Sequence, residues 1–184
     1  MQNHDLELLR YPIGKFEYGQ PYSMETIKEQ LASIAILPHN LTELVGKWGD
    51  ERLDTPYRPG GWTVRQVVHH LVDSHMNAYI RTKLAVTEEN PQVKGYDEAA
   101  WAELPDYRLS IAPSLVILSN LHQRWVTVLD KLTDEQFRRT YYHPGYQRTY
   151  VLAEVAGLYA WHGEHHYQHV RKLAERNNWL RSVV

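Results

Sequence analysis

The sequence predicts an all-α protein, a four-helix bundle with a long crossover between its second and third helices. Three observations carry that prediction. Apolar residues recur at helical spacing in four long segments. Capping-box signatures stand at Thr63/Gln66 and Thr133/Gln136. The joining segments are rich in turn formers, and the longest runs from Glu88 to Pro113. Helices of this kind bury their apolar stripes against one another, and bundle sites are built from side chains on facing helices.

Pro12, Gly14, Gly19 and Pro21 make residues 1–21 read as an irregular arm. The first long helix is expected from just after Ser23 to about Trp48, burying Ile27, Leu31, Ile34, Leu41, Leu44 and Val45. Pro38 lies in its middle, so a kink or break is expected near Leu37. Gly49 to Trp62 is a connector ending in Pro59-Gly60-Gly61, and the second helix opens at Thr63 and continues to about Thr87. Tyr96, Trp101 and Tyr107 suggest that the crossover packs, with one helical turn around Glu98. The third helix follows Pro113, with Leu115, Leu118, Leu121, Trp125, Val128, Leu129 and Leu132 inward. Thr133 starts a short helix, and His143-Pro144-Gly145 is a turn whose flanking tyrosines can form a brief extended pair. The fourth helix is expected from about Thr149 to Asn177, completing a single domain over residues 1–184.

Composition narrows the function. The 184 residues include 20 basic and 22 acidic side chains, a net charge of −2, and no Cys. Disulfide scaffolds, Cys-ligated zinc folds and thiol nucleophiles are thereby excluded. Balanced charge without a Lys/Arg run leaves no footprint for nucleic acid or a membrane surface. No stretch approaches 18 apolar residues, and the charged N-terminus does not read as a signal peptide, so the expected address is the cytoplasm. The 6 Trp and 13 Tyr are read as core and interface packing, because no basic patch accompanies them.

Histidine is the exception to this plainness. Of 11, His69, His70 and His75 share one seven-residue window, and His162, His165, His166 and His169 share one of eight residues. Two such windows about ninety residues apart point to one site assembled from two elements. On the fourth helix, Val151, Val155, Leu158, His166, His169 and Leu173 fall within about 40° of His162 at 100° per residue. One buried imidazole is commonly a satisfied core residue; three on one stripe need partners for six nitrogens. His162 and His166, at i and i+4, can chelate one ion. His165 lies on the flank of the stripe and Glu164 on the opposite side. On the second helix the signal divides. Val64, Val68, Leu71, Val72, His75 and Tyr79 share one face, and Thr63, Gln66, His70, Asp73, Ser74, Asn77 and Arg81 the other. That polar stripe is either solvated or lines a cavity inside the bundle, and spacing does not choose among His69, His70 and His75 as a third ligand.

The run Gly61-Trp-Thr-Val-Arg-Gln-Val-Val-His-His-Leu71, the following Asp73-Ser-His-Met-Asn77 and the late Trp161-His-Gly-Glu-His-His166 resemble the DinB/YfiT-like superfamily, in particular its YfiT-type metal-dependent hydrolases. The resemblance spans nearly the whole chain, from Tyr11-Pro-Ile-Gly14 through Asp54-Thr-Pro-Tyr57 and His143-Pro144 to the last helix. It implies a four-helix bundle, commonly a homodimer, holding one divalent ion per subunit on three histidines. Carried over by position, these are His70, His162 and His166.

An open three-histidine site makes a hydroxide nucleophile available near neutral pH, and the expected activity is hydrolysis of a small substrate with Zn2+, or alternatively Ni2+. The same ion can bind a thiolate, and related proteins resemble S-transferases that use bacillithiol or mycothiol, so a low-molecular-weight thiol is a second expected partner. A metal-stapled binding module is the non-enzymatic alternative. Asp73, one turn from His70, is the candidate general base or orienting carboxylate. His169 and His69 are candidates for supporting the ligands.

Overall fold

Residues 3–180 are described by a computed structural model. In chain order they form α1 (Asn3–Arg10), α2 (Met24–Val45), α3 (Asp50–Leu53), α4 (Val64–Thr87), α5 (Glu98–Trp101), a 3₁₀ turn (Pro105–Arg108), α6 (Ala112–Leu129), α7 (Asp134–Phe137), β1 (Thr140–His143), β2 (Arg148–Val151) and α8 (Leu152–Arg176). The long helices α2, α4, α6 and α8 make the four-helix bundle, and a two-stranded antiparallel hairpin is the only sheet among the described residues. Helix α2 packs on α6 and α8, and so does α4, which places the successive helices α2 and α4 across a diagonal. The long crossover is what makes that arrangement possible.

Both capping boxes form: Thr63 and Thr133 each accept from the backbone N–H three residues on, and Gln66 and Gln136 reach back to them. Three expected boundaries move. The arm carries a helix, α1, and is not wholly irregular; it is tied to α8 where Arg10 and Pro12 carbonyls accept from His169 Nε2 (3.0 Å) and Lys172 Nζ (2.6 Å). Helix α2 ends at Val45, where the Gly46 N–H closes on the Thr42 carbonyl. Helix α8 starts at Leu152, because Thr149 to Val151 pair with β1 first.

Pro38 does not break α2, which runs through it. A proline lacks the N–H that would bond the carbonyl four residues back. That carbonyl, Ile34 O, is instead capped from another helix by His122 Nδ1 at 2.7 Å.

The apolar interior is divided in two. One cluster gathers Ile27, Ile34, Trp125, Leu129, Leu152 and Val155; the other gathers Leu41, Val68, Leu71, Leu118, Val170 and Leu173. Between them, at mid-height on α4, α6 and α8, lie His75, His122, His162 and His166. Gly163 lets α2 and α8 approach at this level, since an added Cβ would lie 2.6 Å from Leu37 Cδ2.

Trp125 is fully buried and donates from Nε1 to Thr82 Oγ1 (3.1 Å). Its replacement by Ala should lower unfolding free energy by about 3–5 kcal/mol, read as a shifted urea midpoint.

Candidate metal centre and pocket

The capping box at Thr63 fixes where α4 begins and therefore which residues face inward. The polar stripe of α4 proves to serve two purposes. Gln66 donates to the Ala102 carbonyl (3.2 Å), and Asp73 Oδ2 accepts from Tyr107 Oη (2.6 Å), so these residues grip the crossover. Arg65, on the neighbouring edge, adds ion pairs to Asp50 and Asp54 (both 2.6 Å) and donates to the Leu109 carbonyl. His70, Ser74 and Arg81 instead line a half-open pocket of about 740 Å³.

His70, His162 and His166 converge on that pocket, with one ligand-capable nitrogen from each lying within 4.8 Å of the others. His70 Nε2 and His162 Nε2 are 3.3 Å apart. Burial holds His70 at a pKa of about 4, with the His165 charge adding to the effect. Burial, followed by the neighbouring imidazoles, keeps His162 and His166 well below the usual histidine value. All three are therefore neutral at pH 7 and carry lone pairs, the state a metal requires of imidazole. His70 Nδ1 and His166 Nδ1 are enclosed without any protein partner. Three neutral imidazoles, His70 and His166 buried and His162 half-buried, with no carboxylate in the set, fit a divalent ion that prefers nitrogen donors and keeps open positions.

The α4 histidine that converges with His162 and His166 is thus His70 and not His69 or His75. His69 Nε2 donates to the Leu109 carbonyl (3.3 Å), which leaves Nδ1 to accept from Ser114 Oγ (2.7 Å); it fastens the crossover to α6. His169 donates to Arg10 O and stacks on Tyr57 at 3.9 Å, so it anchors the arm. Neither of these bonds goes to His70, His162 or His166. His165 lines the pocket, stacked on Trp161. Asp73 does not line the pocket; the tyrosine it binds belongs to the crossover, and burial raises its pKa. Asp73→Asn should leave metal content unchanged, as elemental analysis would show. The carboxylates that do line the pocket are Asp97 and Glu98.

His75 and His122 do position one of the converging histidines, His162, in a way the sequence windows did not reveal. Ile34 O can only accept, so His122 Nδ1 carries the proton and His122 Nε2 is an acceptor. His75 Nδ1, 2.8 Å away, must then be the donor, leaving His75 Nε2 to accept from His162 Nδ1 at 3.1 Å. The rings of His75 and His122 lie 9° from coplanar with centroids 4.9 Å apart, the geometry of rings joined nitrogen to nitrogen and not stacked face to face. Burial keeps His122 at about 4 and His75 well below its usual value, so both stay neutral and the proton order holds. One backbone carbonyl, freed by Pro38, therefore fixes the tautomer of His162 with its Nε2 lone pair free, a role that partners of ligand histidines commonly play.

Nine histidines, including His122, His165 and His169, have pKa values lowered chiefly by burial. The unfolded chain takes up protons first as pH falls, so this contribution is complete above about 6.5 and is lost progressively toward about 4. The Tm of metal-free protein should be nearly flat above pH 7 and fall steeply between about 6.5 and 4; circular dichroism melts in that range check it.

The pocket walls are aromatic: Trp62, Tyr96, Tyr141, Tyr159 and Trp161. Burial raises the pKa of Tyr96, Tyr141 and Tyr159, so their hydroxyls remain protonated. No helix among the described residues is long and apolar enough to cross a membrane.

Known proteins place this site in a family. The profile of the DinB superfamily matches residues 33–170, which include all three converging histidines. A Bacillus cereus (strain G9842) protein named "putative metal-dependent hydrolase" is 54% identical over 171 residues, covering 93% of this chain and 98% of its own. A Bacillus anthracis (strain A0248) protein of the same name is 53% identical with the same coverage. The solved structure of YfiT from Bacillus subtilis, described as a probable metal-dependent hydrolase with an unusual four-helix bundle topology, superposes with a TM-score of 0.91 at 46% identity, over 94% of this chain and 99% of that one. The diagonal placement of successive long helices and the matched span agree with one conclusion: the chain belongs to the DinB superfamily.

Proposed function

We propose that this protein is a metal-dependent hydrolase, with one zinc ion held by His70, His162 and His166. The observation that carries the reading is the convergence of three neutral imidazoles, two buried and one half-buried, on a half-open aromatic pocket. An ion held there supplies a Lewis acid and a nucleophile available near neutral pH. The remaining work falls to the chain. His75 accepts the Nδ1 proton of His162 and holds that ring in one orientation. Trp62 packs against His70 and His166 and covers one side of the histidine cluster. Protonated tyrosine hydroxyls along the walls can donate to negative charge developing on a substrate oxygen. The names of the relatives support the same reaction class.

The test is a hydrolysis screen of small esters and amides with zinc-loaded protein, run with and without added low-molecular-weight thiol. Turnover without thiol that is lost on chelation and restored by zinc is the expected result. Transfer to electrophiles that occurs only with thiol would replace this reading by an S-transferase.

A further inference from the structure

We propose that the end of the pocket remote from the three histidines, built around Arg81 and His143, is a subsite for the carboxylate of an elongated substrate. The inference rests on the reading of this pocket as the substrate site. Arg81 is 8% exposed, and no carboxylate of the described residues lies within ion-pair distance of it. A guanidinium has five donors. Arg81 Nη2 donates to the Lys94 carbonyl at 2.8 Å, while Nε is enclosed with no partner. Burying a charge in this state is costly unless a counter-charge arrives to pair with it.

A second group at the same end is also unpartnered. His143 is 5% exposed, lines the same pocket, and its Nδ1 has no hydrogen-bond partner. Its ring is held between two glycines: a Cβ on Gly95 would approach His143 Cε1 to 2.9 Å, and one on Gly145 to 3.2 Å. The backbone of the crossover and of the hairpin turn is thus kept small where this imidazole sits. Arg81 and His143 are close enough for the guanidinium charge to act on the ring. Arg81 follows His70 by eleven residues on α4, on nearly the same face and roughly 16 Å along the axis. A ligand spanning the pocket would therefore present its reacting group to the histidines and its anionic end to Arg81. A single guanidinium, with Glu98 lining the same pocket, suits a monoanionic carboxylate better than a dianionic phosphate.

The probes are 4-phenylbutanoate and its neutral amide, 4-phenylbutanamide, titrated calorimetrically into zinc-loaded protein. The acid should bind about tenfold more tightly than the amide. Arg81→Gln should erase that preference, and His143→Asn should reduce it, with circular dichroism confirming the fold. Equal affinity for acid and amide in the unaltered protein overturns the proposal, as does the failure of both to bind at millimolar concentration. A preference that survives in both variants also overturns it, because the carboxylate would then sit elsewhere, such as on the ion. If Arg81→Gln does not fold, the unaltered protein and His143→Asn decide. These are equilibrium measurements without turnover, so a failed subsite is distinguishable from a failed hydrolase.

Discussion

His166→Ala should yield a folded protein that no longer retains a metal ion. Removing one of three imidazoles leaves His70 and His162, a pair too sparse to compete with buffer or chelator for zinc. Hydrolytic activity should fall at least about a hundredfold, since the nucleophile and the Lewis acid are lost together. The stability readout separates this from simple damage. His166 is buried with an unpartnered Nδ1, so metal-free His166→Ala should melt close to metal-free wild type, whereas the rise in Tm that zinc gives the wild type should vanish. His169→Ala is the matched control one turn further along α8. It sits on the same stripe but bonds Arg10 O, and it should keep its zinc while loosening the arm.

His75→Phe should weaken zinc binding by roughly tenfold to a hundredfold without removing any ligand. The substitution leaves His162 Nδ1–H without its acceptor and His122 Nε2 without its donor. His162 is then free to adopt either tautomer and to turn. Competition titration with a chromophoric chelator measures the loss, and nitrogen-15 NMR of metal-free wild type should find the proton on Nδ1 of His122, His75 and His162. Pro38→Ala probes the far end of the same chain. It restores an N–H that competes for Ile34 O, and should raise the stability of α2 while weakening zinc affinity in the same direction as His75→Phe, though less. Unchanged affinity in both variants, or an Nε2 proton on His75, would contradict the proton order.

The elements were legible where the sequence carries a local signal. Thr63 with Gln66 and Thr133 with Gln136 announce helix starts because the reciprocal bonds are short-range. His162 and His166 were placed inward by periodicity alone, since apart from His169 the rest of their stripe is apolar. His70 was not, because the polar stripe of α4 looks the same whether it meets water, a crossover or a pocket. The structure shows that it meets the last two, and that distinction depends on where residues 88–111 fold back, which no spacing within α4 encodes. Asp73 was read toward the site for the same reason, and the structure pairs it instead with Tyr107, which arrives from the crossover. His122 was overlooked although its position was informative. It lies between Leu118 and Trp125 on the inward stripe of α6, and a histidine there had to find two partners. Pro38 was read as a defect of α2, when the carbonyl it leaves free is taken up by that histidine.

The central claim is that three histidines hold one resident ion, and elemental analysis of protein expressed without a histidine tag tests it most directly. After exchange into metal-free buffer, the wild type should carry about one equivalent of zinc per chain, and His70→Ala, His162→Ala and His166→Ala should each carry less than about a tenth. Wild type purified without a stoichiometric divalent ion and unable to bind added zinc, or any of the three variants retaining a full equivalent, would contradict it.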